Sequence, residues 1–426
     1  MAAGLDFGTT NSSIAVADRT GNVKLARFLC SDGNTESFRS LLYLYRVREK
    51  GRITIQSWSG PAGIDQYLNA DEKGRLIQSL KSFLSSRNLQ STEVFGRRFK
   101  LEELIARILR DIYKGAGSLF NPAMGKVVVG RPVRFVGAES DADDAFALTR
   151  LETALRSAGF GDVSFEYEPV GAAYHYESTL DHDELILIGD FGGGTSDFSL
   201  LQVGPSIRKS GFKREVIGNE GIGIAGDSFD AKIIRHLVSP ALGAGTKLRS
   251  GGKLLPVPNW VYFKLERWHH LSFLKSSETL DMLKNVAGQA LEPEMIRALL
   301  YLVNHDLGFH LHRAVQRAKL ELSHADKTNF RFSDGDVEIN AELTRAEFEA
   351  WIDEELRAIA ERVDKLLAKA GVHMNDVDAV FLTGGSSFVP AVRQIFVSRF
   401  GAAKIRSGDE FTSVARGLAL KALEQA

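Results

Sequence analysis

Cysteine is nearly absent from this sequence. Cys30 stands alone among 426 residues, which excludes an internal disulfide framework and an all-thiolate metal site. Charge of one sign is also lacking: 53 Lys and Arg meet 54 Asp and Glu, a net charge of -1. That balance argues against a general nucleic-acid coat and a polybasic membrane binder. Apolar stretches such as Leu185–Ile188 and Val127–Val129 fall far short of a membrane span. No basic region followed by an apolar one opens the chain, so no secretory signal is visible, and a reducing, cytoplasmic setting is the expectation. Two common nucleotide signatures are missing as well. No Gly-Lys-Ser/Thr follows a glycine turn, and no G-x-G-x-x-G sits in a βαβ setting. Proline is sparse at 10, whereas glycine reaches 40. Excess glycine without repeats points to tight turns where backbone meets backbone or ligand.

Strands and helices alternate along the chain, which predicts an α/β fold. Val127–Val129, Leu185–Ile188 and Val380–Leu382 read as short buried strands that run into glycine-containing turns. Leu101, Leu104, Ile105, Ile108, Leu109 and Ile112 recur at helical spacing and predict an amphipathic packing helix. The acidic cluster Asp141–Asp144 suits the start of a helix ending near Ala158-Gly159. Residues 243–255 read as an exposed loop. The aromatics of residues 260–274, Trp260 and Trp268 among them, read as filling of a small core. His310 and His312 have no acid or cysteine at metal-binding spacing and read as ordinary helix residues.

Two segments resemble each other. The first is Leu5-Asp6-Phe7-Gly8-Thr9-Thr10-Asn11-Ser12, and the second is Ile188-Gly189-Asp190-Phe191-Gly192-Gly193-Gly194-Thr195-Ser196-Asp197. Each predicts a hairpin with glycine in its turn. A glycine turn presents successive N–H groups to an anion such as phosphate. Thr9, Thr10 and Thr195 add hydroxyls. Asp6 and Asp190 would repel phosphate directly, but suit a hydrated Mg²⁺ lying between. A third glycine turn, Thr383-Gly384-Gly385-Ser386, follows a strand and precedes a helix, another place for a ligand's polar edge.

Together these turns resemble the actin-like ATPase superfamily, and within it the nucleotide-binding domain of Hsp70-type chaperones. Glu168-Pro169, Ala225-Gly226-Asp227-Ser228-Phe229-Asp230 and Leu343-Thr344-Arg345 extend the resemblance from about residue 4 to about residue 417. The resemblance implies two α/β lobes of duplicated ribonuclease H-like topology around a nucleotide cleft. Residues 1–180 would form lobe I, with about 38–96 outermost. Residues 181–426 would form lobe II, with about 230–343 outermost and a helix at about 409–425 packing back on lobe I. It further implies ATP or ADP with Mg²⁺ as cofactors. Asp6 and Asp190 would hold the metal through water, and Lys81 would stabilise the γ-phosphate. Glu168 would orient metal-bound water, and Asp197 with Asp190 would polarise the attacking water. Gly8, Thr9, Thr10, Gly192, Gly193, Gly194 and Thr195 would cradle phosphate. Gly226, Lys319, Ser323, Gly384, Gly385, Phe388 and Asp409 would line the nucleoside. Gln316, Leu320 and Phe388 depart from the family pattern, so the phosphate half is kept better than the nucleoside half.

The implied function is a slow Mg²⁺-dependent ATPase acting as a conformational switch, with a protein client or separate partner protein. A catalytically degenerate nucleotide sensor, an actin-like filament protein and a small-molecule kinase of the same superfamily stay open beside it. A peptide-binding domain and its tether would not fit in the few residues that follow Gly417. Neither nucleic acid nor membrane is expected as a partner.

Overall fold

The computed structural model describes residues 2–31, 33–49, 52–70, 74–117, 119, 125–209, 216–267, 274–408 and 411–425. The chain divides into two compact units. The first holds residues 1–226, 358–387 and 392–426, and the second holds 227–357 and 388–391.

The first unit is built on a six-stranded and a five-stranded sheet that share one five-strand design. In one, Val163–Tyr167, Val127–Arg131 and Ala2–Phe7 run parallel in that spatial order, and Asn11–Ala17 and Val23–Leu25 continue antiparallel. A short strand, Phe38–Arg39, adds to Asn11–Ala17. In the other, Ile405–Ser407, Ala379–Thr383 and Glu184–Phe191 run parallel, and Ser196–Val203 and Val216–Ile222 continue antiparallel. The order in space and in chain matches strand for strand. Both glycine segments form the hairpins expected of them, and each is the hinge between the parallel and antiparallel parts of its sheet. The central strands are apolar on both faces because helices cover them; Val127, Val128, Ile186, Leu187 and Val380 are fully buried.

Each repeat ends in a helix, Glu168–Glu177 in the first and Ser413–Glu424 in the second. The two cross each other, and the last helix lies against the strand Ala2–Phe7. The crossing depends on missing side chains. A Cβ on Gly417 would overlap the Gly171 carbonyl oxygen, and one on Gly4 would strike the backbone of Ala415 and Ala419. Part of the glycine excess therefore serves helix crossing rather than a ligand. The last helix begins at Ser413, a few residues later than expected.

Helix Leu101–Gly115 buries all six of its periodic apolar residues in the core of the first sheet, each contributing roughly 1.5–3 kcal/mol by burial. The acidic cluster opens helix Asp141–Ala158, with Ser140 as its cap and Gly159 ending it at φ +107°. Acids in that first turn suit the helix dipole.

In the second unit the hairpin Lys327–Asp334 and Val337–Thr344 packs on helix Gly308–His324. Phe330, Phe332 and Leu343 alternate inward. Two expectations fail here. Residues 247–256 form a two-stranded ribbon rather than a loop. Only part of the aromatic segment is core: Val261, Tyr262 and Leu265 are buried, while Trp260 and Phe263 face solvent. Helix Trp260–Glu266 shows one face inward, so aromatics off that face are exposed whatever their hydrophobicity. Trp268 lies outside the described residues. No helix among the described residues is long and apolar enough to cross a membrane.

Candidate functional site

The two hairpins bring their aspartates together with a lysine and a glutamate from between them. Asp6 ends the strand before the first turn, and Asp190 holds the matching place before the second. Asp197 lies directly across the second hairpin from Asp190. Glu168 opens the helix after the third parallel strand of the first sheet. Lys81 projects from a short 3-10 turn, Leu80–Phe83, entered through Ser79 at φ +51°.

Lys81 is no surface lysine. It is 7% exposed and its Nζ lies 2.5 Å from Glu168 Oε1, itself 6% exposed. Asp190 and Asp197 are buried too. Val133 donates its backbone N–H to Asp197 Oδ1 at 2.8 Å, and Thr195 bonds the same carboxylate.

The electrostatics follow from four carboxylates around one ammonium, all buried except the half-buried Asp6. Burial, then the Glu168 charge, pushes Asp6 up to about 7 despite nearby Lys81. Burial and Glu168 likewise push Asp197 to about 7. Asp190 lies well above the usual carboxylate range, through burial and the charges of Glu168, Asp6 and Asp197. Burial works against the Lys81 charge, but Glu168 and Asp6 outweigh it and hold the ammonium more firmly than in water. The group is short of positive charge, which is where a cation would bind.

Two features test a fit to Mg²⁺ and phosphate. Among the described residues no three His, Cys, Asp or Glu side chains converge into a direct metal cage. Asp6 and Asp190 are carboxylates facing one ammonium, the donor type that a hydrated Mg²⁺ takes one or two of. Second, the hydroxyl oxygens of Thr10 and Ser79 are buried without a hydrogen-bond partner. A buried hydroxyl left so is completed by water, an ion or a ligand. Both features fit a hydrated cation with phosphate.

The glycine turns are shaped by close approach. A Cβ on Gly8 would strike the Asn11 carbonyl oxygen. One on Gly194 would lie 3.3 Å from Thr9 Oγ1 and 3.1 Å from Val136, so the two turns face each other closely. Gly192 N–H bonds the Thr195 carbonyl at 2.9 Å and closes the second turn. Gly226 N–H reaches the Gly192 carbonyl at 3.4 Å, as does the Ser386 hydroxyl. Gly384 sits at φ +82°, and Gly385 lies against the Phe411 ring.

Other expected residues belong to the second unit. In the second unit Lys319 Nζ is 2.7 Å from buried Asp230, and Ser323 donates to the Lys319 carbonyl at 3.2 Å. Phe388 and Leu320 are exposed. Asp409 lies outside the described residues.

Two contributors, Val133 and Gly130, left no mark in the sequence. The Val133 N–H carries no side-chain signature. Gly130 leaves room for Glu168, whose Cγ would be 3.0 Å from an added Cβ. Thr383 and Ser413, at the corresponding places of the second repeat, bond each other at 2.7 Å. Only the duplicated topology makes those positions comparable.

The duplicated sheets, with paired aspartates at matching hairpin turns, define the actin-like ATPase fold. A profile for Hsp70 protein matches residues 76–245 and 304–423, more than half of the chain. The chain belongs to the Hsp70 family. It is 26% identical to the stromal 70 kDa heat shock-related protein of Pisum sativum, over 72% of this chain and 35% of that one. It is 24% identical to the chaperone protein dnaK of Cyanidioschyzon merolae, over 98% of this chain and 61% of that one. The chain thus spans between about a third and three fifths of the length of these relatives.

Proposed function

We propose that this chain binds ATP with Mg²⁺ at the carboxylate–lysine group and hydrolyses it slowly, as a nucleotide-driven conformational switch. The observation that carries this reading is the buried ion pair of Lys81 with Glu168, enclosed by Asp6, Asp190 and Asp197. Phosphoryl transfer needs mainly positioning and charge stabilisation, and each residue supplies one of these. Lys81, firmly charged, stabilises γ-phosphate oxygens. The turn N–H groups around Gly8 and Gly192–Gly194, with Thr9, Thr10 and Thr195, hold the phosphates. Asp197, held by the Val133 N–H and pushed to about 7, suits a group that takes a proton from water near neutral pH. Asp6 and Asp190 would hold Mg²⁺ through its waters; when bound, the metal neutralises phosphate charge.

In this reading residues 1–180 and 181–426 act as two lobes, each giving one hairpin to the phosphates. Loss of the γ-phosphate frees one lobe from the other, and a protein client or partner reads the change. The test is Mg²⁺-dependent phosphate release by the purified chain beside Asp190→Ala and Lys81→Ala. The reading predicts release by the unaltered chain and loss in both variants. Equal release from all of them sinks it. Tight ATP binding with no release would leave a nucleotide sensor.

A further inference from the structure

One side chain outside the carboxylate–lysine group holds the stretch that follows Lys81. Arg150 lies within helix Asp141–Ala158 and is 5% exposed. Its Nη1 donates to the carbonyls of Phe83, Leu84 and Ser86 at 3.3, 3.3 and 3.1 Å, and Nη2 donates to Leu89 at 3.1 Å. Its Nε bonds Glu102 on the neighbouring helix. The accepting carbonyls all come from residues 83–89, which form neither strand nor α-helix. A buried carbonyl must be paired. Here one planar guanidinium, with five donors in a fixed fork, replaces a sheet ladder. Lys81 sits two residues before the first of these carbonyls.

The same helix also anchors the turn that donates to Asp197. Asp144, six residues before Arg150, is 6% exposed. Its Oδ1 accepts the Phe135 N–H at 2.8 Å, and its Oδ2 pairs with Arg134 at 3.2 Å. That anchors the turn after strand Val127–Arg131, from which Val133 donates to Asp197. Ser85 donates to the Val136 carbonyl at 2.5 Å and ties the two segments together.

We infer that helix Asp141–Ala158 is an alignment bar for the site, with Arg150 a positioning residue for Lys81 and Asp144 a positioning residue for Asp197. The helix is rigid, so it fixes the spacing between the charge that meets phosphate and the carboxylate that meets water. A displacement of about 1 Å at such a site can cost about a hundredfold in rate. The catalytic part of this inference rests on the ATPase reading; the placement of Lys81 does not.

The test therefore has two arms. In the first, the nucleotide-free chain is reductively methylated and labelling at Lys81 is followed by mass spectrometry. Arg150→Lys, which keeps the charge but loses the fork, should label Lys81 several-fold faster than the unaltered chain. Glu102→Ala, which removes only the acceptor of the Arg150 Nε, should do so more weakly and covers the case where Arg150→Lys does not fold. Asp144→Asn and the exposed control Arg156→Gln should leave labelling unchanged. Unchanged Lys81 labelling in folded Arg150→Lys and Glu102→Ala overturns the inference.

In the second arm, single-turnover phosphate release should fall about tenfold or more in Arg150→Lys and Asp144→Asn, with ATP affinity little changed. Arg150→Lys should add nothing in a Lys81→Ala background, whereas Asp144→Asn should still slow it. A full further loss from Arg150→Lys in that background also overturns the inference. If the unaltered chain hydrolyses nothing, the ATPase reading fails, and the labelling arm still decides what Arg150 does.

Discussion

The two repeats of the first unit share a topology yet treat one position oppositely. Where a parallel strand ends beside the start of the closing helix, the first repeat has Gly130 and Glu168, and the second has Thr383 and Ser413. Thr383 and Ser413 bond each other at 2.7 Å. In the first repeat the glycine makes room for a carboxylate, which then holds Lys81. One half closes its polar groups in a neutral pair, while the other leaves charge available. The difference teaches that duplication supplies the frame and its twin aspartates, and that function enters where the halves diverge.

The largest expected effect is on that divergence. Lys81→Ala should lower single-turnover phosphate release by about 10²–10³-fold, the usual cost of removing one preorganised charge partner. Transplanting the second repeat's pair, as Gly130→Thr with Glu168→Ser, should be about as damaging to turnover. It should also lower urea-unfolding stability by about 3–5 kcal/mol, because Lys81 keeps a buried charge without its 2.5 Å partner. Retained turnover in that double variant would break the comparison.

Next comes the place where the repeats touch. Gly417→Ala should destabilise the chain by about 3 kcal/mol in urea unfolding, the upper end of overpacking costs, since its Cβ would overlap the Gly171 carbonyl. A change under about 1 kcal/mol would mean the crossing helices are not locked together.

A smaller effect concerns pH. The folded chain raises Asp6 from its ordinary 3.8 to about 7, so the folded form binds that proton more tightly than the unfolded form. Its contribution to stability is fully present below about 4 and is lost as pH rises through about 7. Asp6→Asn removes this penalty. The nucleotide-free variant should melt higher than the unaltered chain at pH 8, and the gap should close by pH 4. An equal or lower melting point at pH 8 would contradict the burial argument. Smallest of all, Phe263→Ser on the exposed face of its helix should stay within about 0.5 kcal/mol.

Much of the site was legible because its chemistry is local. Asp6, Gly8 and Thr9, like Asp190 to Asp197, lie within single hairpins, so spacing alone grouped them. Their buried strands were legible for the same reason, as short apolar runs between glycine turns. Lys81 and Glu168 were less so, because 87 residues separate partners 2.5 Å apart. Arg150 carried a faint signal, since it shares a helical face with Ala147, Leu151 and Ala154, where a cation must find buried acceptors. The crossing role of Gly4, Gly171 and Gly417 was illegible, because a glycine demanded by a neighbouring helix reads like one demanded by a turn. Trp260 and Phe263 misled because hydrophobicity does not say which side of a short helix faces in.

Calorimetric titration of ATP with Mg²⁺ into Asp6→Asn, Asp190→Asn and the double variant tests the central claim most directly. If both repeats hold one metal–nucleotide, each single change lowers affinity about tenfold or more, and the double change costs much less than the product. Affinity unchanged by either substitution would contradict a site shared between the two halves.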